Sequence, residues 1–245
     1  MSQYGYFATV YDRMMDNIPY EEWKQYILQL FFRYGVKPCG KITELGCGTG
    51  VMTRLLADDG FDMTGVDLSE EMLYVARSRE HEPESPQITY FHQDMRELSL
   101  PAKQDGIISI CDSMNYLLTL EDLYKTMLAA RNNLNPGGIF IFDLKTEHFY
   151  EYELDGKTFS EDMGDFSYIW RNEYSTIDHI HRYYLEFHVN GKVIREIHRQ
   201  RVFGATDIKK AALNAGFTRA IAYDAFTFSS PRKKSDRIYI IMKND

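Results

Sequence analysis

Apolar residues recur at intervals of three and four between residues 3 and 16, at Tyr4, Tyr6, Phe7, Val10, Tyr11, Met14 and Met15. This spacing predicts an amphipathic helix. A second helix follows, because Pro19 suits its first turn, Glu21 and Glu22 favour its N-terminal dipole, and Gly35 suits its stop. The pattern then changes to short apolar runs, at 41–45, Phe61 to Val66, Ile88 to Phe91, Gly106 to Ile110 and Ile139 to Leu144. Helical stretches separate them, one capped by Ser69 with Glu70 and Glu71 in its first turn, another opened by Thr119 with Glu121 and Asp122. Such alternation predicts an α/β fold, a parallel sheet wound on both faces with ligands at the carboxyl ends of its strands. A capped helix from Thr206 to Gly216 and strands near Phe217 to Tyr223 and Arg237 to Met242 complete the chain.

Residues 145–204 do not belong to the winding pattern. Ser167 to Ser175, Asp178 to Val189 and Lys192 to Phe203 have the aromatic and β-branched content of strands, and Asn190-Gly191 is a strong hairpin signal. A two-residue turn fixes the register, placing Val189 opposite Lys192, Glu186 opposite Arg195 and Tyr183 opposite His198. One face then carries His179, His181, Tyr183, Leu185, Phe187 and Val189, joined by Ile194, His198 and Val202. The other carries Arg182, Glu186, Arg195, Arg199 and Arg201, so the first should turn inward and roof a substrate pocket. The histidines do not make a metal set, since the face contributes no Cys or Asp and the neighbourhood offers no spaced ligands of the closed zinc type. Each is either a satisfied structural histidine or, for His181 and His198, a group that positions an acceptor or takes its proton.

Bulk properties narrow the class without deciding it. A length of 245 residues is one large domain or a domain with an insertion, and 44% hydrophobic with 26% charged residues is ordinary for a globular protein. The net charge of −8 and the lack of an extended basic stripe argue against a duplex nucleic-acid partner. Cys39, Cys47 and Cys111 are odd in number and widely spaced, which reads as reduced thiols in a cytoplasmic protein. No run approaches 18 apolar residues, so neither export nor membrane spanning is expected.

The chemistry centres on residues 41–50, where an apolar run ends at Glu44 and glycines follow at Gly46, Gly48 and Gly50. Glycine lets a flat ligand lie directly against the backbone. A dinucleotide fingerprint would place its third glycine at position 51, which is Val51, and Glu44 is ill suited to face a pyrophosphate. An acid there suits a cationic ligand. ELGCGTG resembles the ExGxGxG signature of class I S-adenosylmethionine (SAM) methyltransferases, and LNPGG before the run at Ile139 is similar to another habit of that family.

The resemblance implies a Rossmann-like sheet of order 3-2-1-4-5-7-6 with strand 7 antiparallel, a helical lid over residues 1–35, a SAM-binding domain over 36–144 and 205–245, and an antiparallel insertion over 145–204. It implies SAM as cofactor, S-adenosylhomocysteine as product, Asp67 on the ribose hydroxyls and Asp94 with Met95 at the adenine. Tyr11, Cys47, Leu68, Met72, Cys111, Asp112 and Ser113 are further cofactor candidates, although Tyr11 reads equally as a core aromatic. Asp112, Ser113, Asn115 and Tyr116 follow the fourth strand, beside the methyl group in family geometry. CDSMNY lacks the prolines of base-amino methyltransferases. With its lid and insertion, the chain resembles glycine and nucleotide-sugar amine N-methyltransferases, which implies a small polar acceptor, an amine or a hydroxyl or carboxylate. Candidate catalytic residues are Tyr116, His181 and His198; Asn115, Tyr183 and Arg232 are candidate acceptor contacts, Arg232 reading also as part of a solvated basic turn. A nicotinamide-dependent dehydrogenase, a noncatalytic SAM-binding module, and a methyltransferase acting on RNA or protein remain as alternatives. Either a monomer or a homodimer is compatible.

Overall fold

The computed structural model describes residues 6–16, 18–79 and 86–244; Tyr4 of the first predicted helix lies outside them. Helices α1 (Phe7–Met14) and α2 (Tyr20–Tyr34) precede the winding pattern. Strands β1 (Lys41–Leu45), β2 (Asp62–Asp67), β3 (Thr89–His92), β4 (Gln104–Ser109) and β5 (Leu134–Lys145) alternate with α3 (Val51–Asp58), α4 (Glu70–Ser78) and α5 (Leu120–Asn133). An insertion of four strands follows, β6 (Thr158–Asp162), β7 (Phe166–Ser175), β8 (Ile180–Val189) and β9 (Lys192–Arg201), and then α6 (Ala205–Asn214), β10 (Arg219–Asp224) and β11 (Arg237–Lys243). The main sheet runs β10-β11-β5-β4-β1-β2-β3, with β11 antiparallel to both neighbours, which is the expected order.

Alternation along the strands builds a core on each face. Ile139, Ile141, Tyr239 and Ile241 face α2, α3 and α4, whereas Phe140, Phe142, Ile240 and Met242 face α5 and α6. Both layers are largely aliphatic and aromatic packing, and they flank the strands β1, β2 and β4. Among the described residues no helix is long and apolar enough to cross a membrane.

The insertion is a second sheet of order β6-β7-β8-β9. Asn190 and Gly191 take φ of 49° and 72°, the left-handed pair that a two-residue hairpin requires, and the register pairs Val189 with Lys192, Glu186 with Arg195 and Tyr183 with His198 as expected. His179 departs from the expectation. It has φ of 55° in the turn before β8 and is exposed, beside Glu147 at 3.2 Å, not on the inward face. Strand β6 was not foreseen. The inward face packs on α1 through Phe7, Ala8, Val10, Met14, Phe166, Tyr183, Leu185 and Phe187. Helix α1 is thereby a wedge between the two sheets.

Candidate active site

A cavity of about 650 Å³ opens at the carboxyl ends of β1, β2 and β4, with the inward face of the insertion above it and α1 at its side. That volume lies within the roughly 300–1,000 Å³ of small-ligand sites. Its floor begins with the glycine loop. Gly46 and Gly48 have φ of 67° and 54°, and the Gly46 and Cys47 amides donate to Val66 O at 2.7 and 3.0 Å. A Cβ on Gly46 would lie 2.7 Å from that of Ser113, whose hydroxyl donates to Gly46 O at 3.2 Å. A Cβ on Gly48 would meet nothing within 4 Å, so this glycine serves its backbone angle and leaves the space over its Cα open. Gly50 does something else. Its Cβ would meet Tyr90 Oη at 2.5 Å and Ala76 Cβ at 3.1 Å, so it lets α3 pack against β3 and α4 and does not line the cavity.

Three acids border this floor. Glu44 is buried, accepts from the Thr53 hydroxyl, and has its carboxyl pushed up to about 8 by burial, with the charge of Asp67 adding to the effect. Asp67 accepts from Gly48 N at 2.7 Å and Ser69 N at 2.8 Å, one backbone donor on each oxygen, while burial raises its pKa. Asp94 is held in the fork of Arg96, Nε at 2.9 and 3.0 Å and Nη2 at 2.5 Å, which depresses its carboxyl. Arg96 reaches on to Asp122 at 2.8 Å. Leu68, Met72, Met95, Cys47 and Cys111 also line the cavity, and Tyr11 enters from α1, its hydroxyl raised by burial.

Cys111 and Asp112 occupy left-handed backbone, φ 56° and 54°, where β4 ends. Such conformations cost about 1–3 kcal/mol each and persist only where the surroundings determine them. Here an ion-pair cluster does so. Asp112 accepts from Gln200 Nε2 at 2.7 Å and Arg237 Nη2 at 2.8 Å, its amide donates to Asp143 at 3.1 Å, and Lys145 lies 3.4 Å away. Arg237 also pairs with Asp143 and stacks 4.7 Å from Trp23. Burial would raise the Asp112 carboxyl, but Lys145 and Arg237 hold it below its usual range; Asp143, with burial dominant, is pushed up to about 6.

The roof comes from the insertion. His181 is buried and its Nε2 lies 3.1 Å from Asn172 Oδ1; the Asn172 amide nitrogen donates to Lys157 O at 3.1 Å, so the oxygen is what faces the ring. The proton therefore sits on Nε2. His181 Nδ1 and Trp170 Nε1 are buried with no hydrogen-bond partner among the described residues, and both side chains line the cavity. Burial, then Lys145, push the His181 imidazole down to about 3, so it stays neutral. The hydroxyls of Tyr116 and Tyr183 bond to each other, and both residues line the cavity. His198 lies behind them, fully buried and stacked on Tyr183 at 4.7 Å, outside the lining.

Besides Gly50 and His198, two further candidates fall outside the lining. Asn115 is buried in the structure, donating to Arg201 O at 2.8 Å and accepting from Lys145 N at 3.0 Å, so it ties the turn after β4 to β5 and β9 instead of facing the cavity. Arg232 is absent from the lining because Asp224 holds it, with Nη2 at 2.9 Å. Gln200, Trp170, Lys145 and Arg237 line the cavity and were not foreseen. The hairpin register itself contained the signal for Gln200, since it sits opposite His181.

Residues 42–138 match the model of a methyltransferase domain family. The chain is 32% identical over 245 residues to "Putative methyltransferase" from Geobacillus sp. (strain WCH70), covering 98% of this chain and 99% of the relative. It is 31% identical over 102 residues to the dTDP-3-amino-3,4,6-trideoxy-alpha-D-glucopyranose N,N-dimethyltransferase of Streptomyces venezuelae, 42% of this chain and 41% of that one. Among solved structures, an S-adenosylmethionine-dependent methyltransferase from Clostridium acetobutylicum ATCC 824 superposes with a TM-score of 0.83 at 27% identity, covering 98% of each chain.

Proposed function

The chain belongs to the SAM-dependent methyltransferases, and from that premise we propose that it methylates a small amine that also carries a polar or anionic group. The dehydrogenase alternative falls with the family. The cavity floor fits the cofactor on its own evidence. Glu44 is a buried acid bonded through Oε2 to the Thr53 hydroxyl and would take the α-ammonium. Asp67 has one backbone donor on each oxygen and would keep a lone pair on each for the ribose hydroxyls. The open space over the Gly48 Cα would admit the cofactor's backbone-hugging portion. When bound, SAM supplies a methyl already activated by its sulfonium.

What the chain must then provide is alignment of the acceptor's lone pair at near-attack distance, and water exclusion. The observation that carries the amine reading is His181, a neutral ring on the cavity wall whose Nδ1 has no partner among the described residues. A buried acceptor left unsatisfied costs about 1–3 kcal/mol, and an N–H from the incoming amine would satisfy it while turning the nitrogen lone pair away. A carboxylate acceptor has no hydrogen to offer there. Trp170 Nε1 and Lys145 on the same walls suit an anionic or oxygen-bearing substituent. The amino-sugar dimethyltransferase to which the chain is partly similar supports the same class.

The test is to incubate the protein with SAM and a panel of primary amines, amino acids and amino sugars among them, beside their hydroxyl and carboxylate analogues. Methylated amine should accumulate in step with S-adenosylhomocysteine. Methylation confined to hydroxyls or carboxylates, or to added transfer RNA, would overturn the reading.

A further inference from the structure

Glu196 lies on the inward face of β9, 8% exposed, and the methyl transfer itself does not use it. Its two oxygens have different partners. Oε1 accepts from the backbone N–H of Phe7, the first residue of α1, at 3.0 Å, and Oε2 lies 3.4 Å from His198 Nε2. The other nitrogen of that ring, Nδ1, lies 3.5 Å from the hydroxyl of Tyr116, which lines the cavity. Tyr183 stacks on the imidazole with 3° between planes, and Phe7 meets it at 5.3 Å. The ring is thus clamped with one nitrogen toward a carboxylate and the other toward a cavity hydroxyl.

We propose that Glu196 is a positioning residue for a proton relay from the acceptor through Tyr116 to His198. The inference rests on the amine reading, because an amine that arrives as an ammonium has no lone pair to attack with until it gives up a proton. An N–H bond of the incoming ammonium breaks, its electron pair stays on nitrogen, and an O–H bond forms at Tyr116 Oη. The O–H bond that Tyr116 held breaks as an N–H bond forms at His198 Nδ1. Nothing is oxidised or reduced, and the positive charge ends on the imidazolium, whose Nε2–H points at Glu196. Before the transfer, the carboxylate keeps the ring proton on Nε2 and so leaves Nδ1 bare to receive, the arrangement by which an acid orients a histidine base.

A structural role alone accounts weakly for an acid. A glutamine would also accept the Phe7 amide, and the roughly 0.3–1 kcal/mol that a carboxylate gains at the start of a helix is set against the cost of burying a charge. A neighbour that turns positive makes the carboxylate clearly the better residue. Among the described residues, the titratable groups seen facing the ring are Tyr116, Tyr183 and Glu196, and α1 contributes the Phe7 ring and amide. Docking of α1 and readiness of the relay therefore share one side chain.

The discriminating variant is E196Q, which keeps an oxygen for Phe7. In protein saturated with S-adenosylhomocysteine and labelled at histidine nitrogens, the His198 signal, assigned with H198Q, should report the Nε2–H tautomer in the parent and move toward the Nδ1–H tautomer in E196Q, whose amide nitrogen faces the ring. With a methylated amine in hand, E196Q should lower kcat by tenfold or more, within the roughly 10²–10⁴-fold of general-base catalysis, with KM changed less than about twofold. E196D should recover part of kcat. An unchanged His198 tautomer, or an unchanged kcat, overturns the relay. A changed tautomer in a protein that methylates no amine upholds the Glu196–His198 pair and overturns the amine reading instead.

Discussion

Glu44→Gln is expected to flatten the pH dependence of stability in the cofactor-free protein and to abolish proton release when S-adenosylhomocysteine binds. In the fold the Glu44 carboxyl rises from 4.5 to about 8, chiefly through burial. A raised carboxyl means that the native state holds its proton more tightly than the unfolded chain does. Its contribution to stability is complete below pH 4.5 and is lost progressively as pH climbs to about 8. At about 1.36 kcal/mol per unit, the loss by pH 7 is roughly 3 kcal/mol, a large share of a typical domain's stability. The neutral amide of the variant carries no such penalty, so its denaturant midpoints should gain on the parent steadily between those limits. An ammonium placed beside Glu44 draws its pKa back down. Binding at pH 7 then expels about nine-tenths of a proton, read by titration calorimetry in two buffers of different ionisation enthalpy. The variant should expel close to none and bind about tenfold to a hundredfold more weakly, the worth of a hydrogen bond between charged groups. Equal proton release from both proteins, with parallel pH–stability curves, would refute Glu44 as the seat of the ammonium.

Three other substitutions probe separate parts of the molecule. Gly65→Ala would put a Cβ 2.5 Å from Tyr90 Cδ1 and 3.0 Å from Cys47 Sγ, and should destabilise by about 1–3 kcal/mol in urea denaturation. Arg237→Met strands Asp112 and Asp143 in the interior and should cost about 3–5 kcal/mol, with part recovered when Asp143→Asn is added; a second substitution that recovers nothing would mean the cluster is not coupled. His181→Phe keeps the stack on Tyr150, 4.7 Å between centroids, and removes Nδ1. It should lower kcat on the amine by about tenfold through misalignment while calorimetric affinity for S-adenosylhomocysteine holds.

The main sheet was legible because each of its signals is local: an acid or glycine at a strand end and a cap at a helix start lie within a few residues of the element they define. The hairpin was legible for the same reason, since Asn190-Gly191 sets both angle and register. Strand β6 was not. Thr158 to Asp162 is exposed at every position, an edge strand paired on one side, and leaves no alternation to read. His179 was placed one turn too far into its strand because Asp178 reads as part of the run, whereas its carboxylate accepts from Ile180 N at 3.2 Å and ends the turn. At the site, the missed residues are those whose partners lie far along the chain. Arg237 meets Asp112 across 125 positions and Glu196 meets Phe7 across 189, distances over which composition and periodicity carry no information. Gly50 shows the converse limit. The motif names three glycines, but only the packing shows that this one makes room for Tyr90.

Floor and roof answer to different constraints, and the hydrogen bonds between them explain how both can hold. The floor, as proposed, would hold the cofactor through main chain and strand-end acids. The inward face of the insertion buries Asn172, His181, Glu196, His198 and Gln200, polar groups that a sheet covering a core would replace with Val or Ile. Each must be satisfied or be reserved for something in the cavity. Asn172 serves His181, Gln200 joins Tyr150 to Asp112, and Glu196 holds α1, which in turn is tied to the glycine loop by Asp12 and Thr49 at 2.6 Å. The roof is therefore registered on the floor through Gln200 and Asp112, and α1 on both through Glu196 and Asp12. The cavity-facing positions between those ties, Trp170, His181 and Tyr183, are where a change of side chain would alter the acceptor without moving the floor beneath it.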